Sequence, residues 1–211
     1  MMNLLRRALI LLCAFYLPTT AQNHAHHDHS QHKELSAATP LSSASIYNLD
    51  SYWNDQNGQK VQLRQFAGHP LLITMIFTHC EYACPILVEN VKGILAALPE
   101  QQRKKFNRVF ISFDVERDSS AVLKSYAKNK KMDSEQWVLL HGNEDQVLEA
   151  AAVLGVRYRK DGYGNFAHSN LITLLDEKGE IAFQLKGLNA EATPILKAIN
   201  KTFPPPAHHA H

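Results

Sequence analysis

The chain has 211 residues, 45% of them hydrophobic and 20% charged, the make-up of a soluble globular protein with one domain. Nine Gly and nine Pro exclude a collagen-like or low-complexity chain, no internal repeat points to a solenoid, and the longest apolar run, Ala8 to Leu17, is about half of a bilayer span. The net charge of +2 rests on Arg6 and Arg7; without them the 22 basic side chains fall level with the 20 acidic ones, which argues against nucleic-acid binding.

Residues 1–21 read as a secretory signal: Arg6 and Arg7 form the charged start, Ala8 to Leu17 the apolar core, and Pro18-Thr19-Thr20-Ala21 the cleavage site. The competing reading is an uncleaved inner-membrane anchor, against which Pro18 and the short run argue; Cys13 goes with the signal. Export puts the chain in the periplasm or otherwise outside the cytoplasm, where a disulfide is allowed. Membrane contact then arises only through a client or a retained N-terminus.

Residues 22–43 and 204–211 are polar tails that hold eight of the twelve histidines: His24, His26, His27, His29 and His32 in the first, His208, His209 and His211 in the second. Neither tail has the apolar content to build a core. Clustered neutral imidazoles capture copper, zinc or nickel. The alternative is a solvated, pH-sensitive segment or an expression tag.

Between the tails, residues 44–203 alternate strands and helices. Ser45–Trp53 is strand-like, and an Asn57-Gly58 turn leads to a return at Val61–Leu63. Leu71–Phe77 is a continuous apolar run, as in a strand buried on both faces. Pro85–Leu98 has helical spacing, Val109–Phe113 is a buried strand, and Ser119–Lys130 is a helix capped by Asp118. Gln136–Leu140 is a strand and Glu144–Leu154 a helix ending at Gly155. Asn170–Leu175 and Ile181–Leu185 flank an Asp176–Gly179 turn, and Ala192–Phe203 is the last helix. This order predicts an α/β thioredoxin-like fold, a mixed central sheet flanked by helices with an N-terminal strand hairpin.

The chemistry concentrates at Thr78-His79-Cys80-Glu81-Tyr82-Ala83-Cys84-Pro85, between a buried strand and a helix start. Cys84 falls in the first helical turn, where free N–H groups and the helix dipole favour thiolate, with Pro85 at the first helical position. A redox-active dithiol, a soft metal site and a local disulfide staple all fit. The C-x3-C spacing departs from the C-x2-C of thioredoxin-type exchangers. Their proline before a late strand is also missing: no Pro stands between Pro99 and Pro194, and His168 occupies that place. In a thioredoxin-like sheet His168 lies beside the cysteine loop, so two thiols and an imidazole converge. Such a set suits copper(I) or copper(II), and with a fourth ligand zinc.

Thr78-His79-Cys80, Cys84-Pro85, Ser112-Phe113-Asp114-Val115-Glu116-Arg117-Asp118 and His168-Ser169 resemble the Sco/SenC family of copper-binding thioredoxin-fold proteins, over about residues 45–203. The resemblance implies that Cys80, Cys84 and His168 bind copper. It also implies delivery of copper to, or thiol reduction at, the binuclear copper centre of a respiratory oxidase. It places Asp114 near the metal site, where it could orient a ligand. Two positions depart from the family: Glu81-Tyr82-Ala83 replaces a common Pro-Asp-Val, and Ala167 replaces an Asp before the ligand His. Both alter the ligands' surroundings, so the client could be another copper enzyme such as nitrous oxide reductase.

The expected function is an exported copper metallochaperone. Its partners are a copper-dependent respiratory enzyme or another copper chaperone, and a periplasmic thiol reductant. The alternative is a thiol-disulfide oxidoreductase that reduces client cysteines through Cys80 and Cys84 without copper transfer. A thiol peroxidase fits less well, because Phe77 stands where such enzymes carry Thr, and zinc is the lesser occupant. His69 and His141 read as surface residues.

Overall fold

The computed structural model describes residues 41–132 and 134–205. The signal segment and the tail histidines His24, His26, His27, His29, His32, His208, His209 and His211 lie outside the described residues.

Nine strands are described: β1 Tyr52–Asp55, β2 Lys60–Gln62, β3 Leu71–Ile76, β4 Asn107–Ser112, β5 Trp137–His141, β6 Tyr158–Lys160, β7 Phe166–His168, β8 Leu171–Leu175 and β9 Ile181–Lys186. The helices are α1 Ala83–Ala96, α2 Glu100–Arg103, α3 Ser120–Asn129, α4 Glu144–Leu154 and α5 Thr193–Thr202. Seven strands form one mixed sheet in the order β2-β1-β5-β4-β3-β8-β9, while β6 and β7 pair only with each other. The central strands β3 and β4 are parallel, and β8 runs antiparallel to β3. With helices flanking the sheet, the architecture is the expected α/β thioredoxin-like fold. No helix among the described residues is long and apolar enough to cross a membrane.

Every residue of β3 and β8 is buried, as are five of the six in β4, which is why these segments read as unbroken apolar runs. Helix α1 packs on β3 and β8 through Cys84, Leu87, Val88, Val91, Ile94 and Leu95, a stripe at three- and four-residue steps. Helix α4 opens with a capping box between Asn143 and Gln146 and closes at Gly155 in the left-handed region.

Four elements depart from expectation. Ser45–Trp53 is not one strand: Ile46–Asn48 forms a 3₁₀ turn capped by Ser45, and the strand starts only at Tyr52. Residues Ile46 and Tyr47 are adjacent and both fully buried, which a strand with alternating faces does not allow over a half-exposed edge. Helix α1 begins two residues early, so Pro85 is its third residue; the helix tolerates it because that N–H has no intrahelical partner. Ser119, not Asp118, caps α3 by accepting from the Val122 N–H. Finally, the Gly-rich stretch before His168 is not a plain loop but a β6–β7 hairpin, closed by a turn in which Asp161 Oδ1 accepts from the N–H groups of Tyr163 and Asn165.

The β8–β9 turn is also where the N-terminal segment docks. Ser45 Oγ donates to the Lys178 carbonyl, and Gly179 stands at φ +78° with Tyr47 against it. A Cβ at Gly179 would fall 2.6 Å from the Tyr47 ring. Both the positive φ and this close approach require glycine. Gly179→Ala is expected to lose about 2 kcal/mol or more, read as a lower urea midpoint at unchanged slope.

Candidate metal and thiol site

The topology carries three segments to one end of the sheet. Parallel β3 and β4 both finish there, β3 leading into the cysteine loop and β4 into the loop Phe113–Ser119. Strand β8 runs the other way and therefore starts there; Thr74 Oγ1 donates to the Leu171 carbonyl at 2.6 Å, tying the start of β8 to the end of β3. His168 stands three residues before Leu171. Cys80, Cys84 and His168 thereby come together, one donor atom of each lying within 4.8 Å of the other two.

The cysteine loop is anchored by a buried carboxylate. Asp118 accepts from the Thr78 N–H at 2.9 Å, the Thr78 hydroxyl at 2.5 Å and the Ser112 hydroxyl at 2.6 Å. These bonds explain why Asp118 does not cap α3. They also fix the backbone two residues before Cys80.

The thiols are unlike one another. Cys80 is half-buried and borders a cleft of about 510 Å³ shared with His79, Tyr82, Phe166 and His168, whereas Cys84 is fully buried on the inner face of α1. The Cys84 N–H points at Cys80 Sγ from 3.2 Å. The Cys80 thiol is brought down to about 5, chiefly because the Cys84 S–H donates to it; burial opposes this, and the N–H groups of Cys84, Tyr82 and Ala83 add to it. That same donation, followed by burial, pushes the Cys84 thiol up. The sequence places the favoured thiolate at Cys84; the structure places it at Cys80. The N–H groups of the first helical turn point back toward the preceding loop, so they serve the sulfur before the helix rather than the one within it.

His168 lies against an aromatic wall, its ring centre 5.0 Å from Phe113 and 6.1 Å from Phe77. Its Nδ1 is 3.1 Å from the Ser169 carbonyl oxygen. A carbonyl only accepts, so Nδ1 carries the proton and Nε2 keeps the free lone pair. Phe166, two residues earlier on the same strand face, packs on Phe77 and Phe113. This wall escapes the sequence reading, although Phe77 and Phe113 each directly follow a buried strand and Phe166 alternates with His168.

Asp114 sits differently from the expectation that it orients a ligand. It is buried and accepts from the Arg117 side chain and backbone; among the described residues it hydrogen-bonds none of Cys80, Cys84 and His168. Asp114, Asp118 and His79 also bring one ligand atom each within 4.8 Å, but both carboxylates already accept from Arg117, Thr78 and Ser112. His79 is half-exposed, 3.2 Å from the Thr78 hydroxyl. His69 is exposed, while His141 is part-buried beside Ser120 and burial lowers its pKa.

Two measurements test this geometry. Iodoacetamide should modify reduced, metal-free protein at Cys80 with a rate that rises through about pH 5 and then levels, since only the thiolate reacts. Cys84→Ala removes the largest cause lowering that value, so its midpoint should move up toward that of an ordinary thiol. Asp118→Ala strands three donors, the Ser112 hydroxyl buried and the two of Thr78 part-buried, and should lower unfolding stability by about 3 kcal/mol, read by urea denaturation.

Comparison with known proteins identifies the family. Residues 48–203 match the family model described as SCO1/SenC. The SCO2-like protein RT0576 of Rickettsia typhi is 31% identical over 132 residues, 60% of this chain and 63% of that protein, so the match spans less than two thirds of its length. The copper-bound structure of Bradyrhizobium japonicum ScoI superposes with a TM-score of 0.60 at 26% identity, covering 72% of this chain and 96% of that one. BsSco, a member of the Sco family of cytochrome c oxidase assembly proteins, shares the fold with a TM-score of 0.63 at 22% identity, over 72% of this chain and 90% of its own. With its family match running from before β1 to the end of α5, the chain belongs to the SCO1/SenC family.

Proposed function

We propose that this protein is an exported copper metallochaperone. It binds one copper ion through Cys80, Cys84 and His168, and delivers it to, or prepares the thiols of, a copper-dependent respiratory enzyme such as cytochrome c oxidase. The observation that carries this reading is the convergence of two sulfurs and one imidazole nitrogen within 4.8 Å of one another, beside an open cleft.

The donor set fits the cargo. Two thiolates and one imidazole satisfy copper(I) with three ligands, whereas a zinc site needs a fourth, which makes zinc the lesser occupant. Cys80 offers a thiolate near neutral pH, and Cys84 gives up its proton as the ion enters, so loading releases a proton. Copper-bound ScoI from Bradyrhizobium japonicum shows that a relative with this fold holds the same metal. Copper comes from and goes to a client enzyme or another copper chaperone in the periplasm, and a thiol reductant there keeps the pair open. The histidine tails serve as accessory, weaker copper sites.

The thiol asymmetry favours a second reading, disulfide reduction of client cysteines. Cys80, half-buried at the cleft and acidic, attacks the client disulfide and forms a mixed disulfide, releasing one client thiolate. Cys84 then displaces the client thiol, leaving a Cys80–Cys84 disulfide and a reduced client. The electrons come from the dithiol itself, which the reductant restores.

Anaerobic copper(I) competition on the reduced full chain separates the readings, with Cys80→Ser/Cys84→Ser as the baseline for the tails. One tight copper above that baseline, weakened at least about tenfold in His168→Ala, supports the chaperone. Tight binding unchanged in His168→Ala withdraws His168 as a ligand. No copper above the baseline, with turnover of a disulfide substrate indifferent to His168, moves the function to disulfide reduction.

A further inference from the structure

His168 reaches the thiols on an arm that the main sheet does not hold. Strands β6 and β7 pair with each other alone, Tyr158 opposite His168 and Lys160 opposite Phe166. A two-stranded hairpin is marginal by itself, so its position must come from contacts outside it. At its base, Ser169 N–H donates to the Arg157 carbonyl at 2.8 Å, beside the junction with β8. Along its inner face, Phe166 and Tyr158 pack on Phe113. These contacts leave the far end to be secured.

Two ties reach that end, and they differ in strength. The Lys160–Glu116 pair is solvent-exposed on both sides and contributes little. Arg117 is built differently. Its Nε donates to Oδ2 of the buried Asp114 at 2.5 Å, and its Nη2 donates to the Gly164 carbonyl at the arm's turn. Asp114 is itself held by its N–H, which donates to the Ser112 hydroxyl, and Ser112 donates in turn to Asp118. The guanidinium has a fixed planar fork, so anchoring one edge on a buried carboxylate sets where the other edge meets the arm.

We infer that Arg117 is a positioning residue for the metal site: it braces the β6–β7 arm through the Gly164 carbonyl and so holds the His168 imidazole against the Cys80–Cys84 pair. Its role in metal binding rests on the three-ligand reading above. Among the described residues Arg117 hydrogen-bonds none of the three donors; it acts through the arm. Losing it lets the arm lean away, leaving the dithiol intact and the imidazole misplaced.

The experiment uses the reduced full chain carrying Arg117→Met, which keeps the apolar stem and removes the donors. If the unpaired Asp114 prevents folding, Asp114→Asn/Arg117→Met removes the charge as well. Copper(I) affinity above the Cys80→Ser/Cys84→Ser baseline is measured with and without His168→Ala. The expected result is about a tenfold loss from Arg117→Met when His168 is present, and almost none when it is absent. Equal losses in both backgrounds, or none in either where His168→Ala alone weakens copper, overturn the inference. Amide hydrogen exchange on the metal-free protein is the second readout. Faster exchange confined to residues 158–168 supports the brace, and unchanged exchange there, or a uniform rise through β3, β4 and α1, overturns it. If His168→Ala alone leaves copper affinity unchanged, the three-ligand reading falls and exchange alone decides whether Arg117 holds the arm.

Discussion

The site depends on one loop that offers no ligand. Between β4 and α3, Asp118 grips the start of the cysteine loop and Asp114, through Arg117, reaches the hairpin that carries His168. Both carboxylates are buried and fully engaged, the condition under which a buried charge is tolerated and becomes costly to disturb. Ser112 joins them, donating to Asp118 while accepting from the Asp114 N–H. A segment some thirty to fifty residues away from either half of the site thus sets the distance between them.

That arrangement leaves the proposed three-ligand site closed on one side and open on the other. Cys84 and the aromatic wall of Phe77, Phe113 and Phe166 close the inner side, while Cys80 faces the cleft. On the proposed chaperone reading a cargo ion must be gripped and also released, and an open face beside the most acidic thiol lets an incoming client thiolate compete for it. The same exposure serves disulfide exchange, because the attacking sulfur must be reachable. One geometry therefore supports both chemistries.

Much of this was legible in the sequence, and the misses share a cause. Buried strands announce themselves through unbroken apolar runs, so β3, β4 and β8 were placed within a residue or two. From there the meeting of Cys80, Cys84 and His168 follows once the strand order of a thioredoxin-like sheet is assumed, and the family resemblance points the same way. The hairpin arm was not legible, since three-residue strands such as Phe166–His168 are too short for a period to show. The roles of Asp114, Arg117 and Asp118 were also hidden: a carboxylate before a helix reads as a cap, and only the tertiary structure shows Thr78 and Gly164 competing for those groups. The identity of the acidic thiol was misread for a similar reason, because a position in the first helical turn says nothing about which sulfur the N–H groups face.

The start of α1 ties that electrostatic detail to folding. The N-cap residue Tyr82 makes no side-chain capping bond, and the Cys84 N–H instead finds Cys80 Sγ. The sulfur therefore does the work usually left to Ser, Thr, Asp or Asn, and does it best as a thiolate, which puts a full negative charge at the positive end of the helix. Forming a disulfide removes that charge from the acceptor. The helix start accordingly stabilises the reduced protein over the oxidised one, the direction that raises a dithiol's reduction potential and turns the disulfide into the more readily reduced form. On the proposed reading, in which the chain presents open thiols in an oxidising compartment, the cap and the chemistry thus act in the same direction.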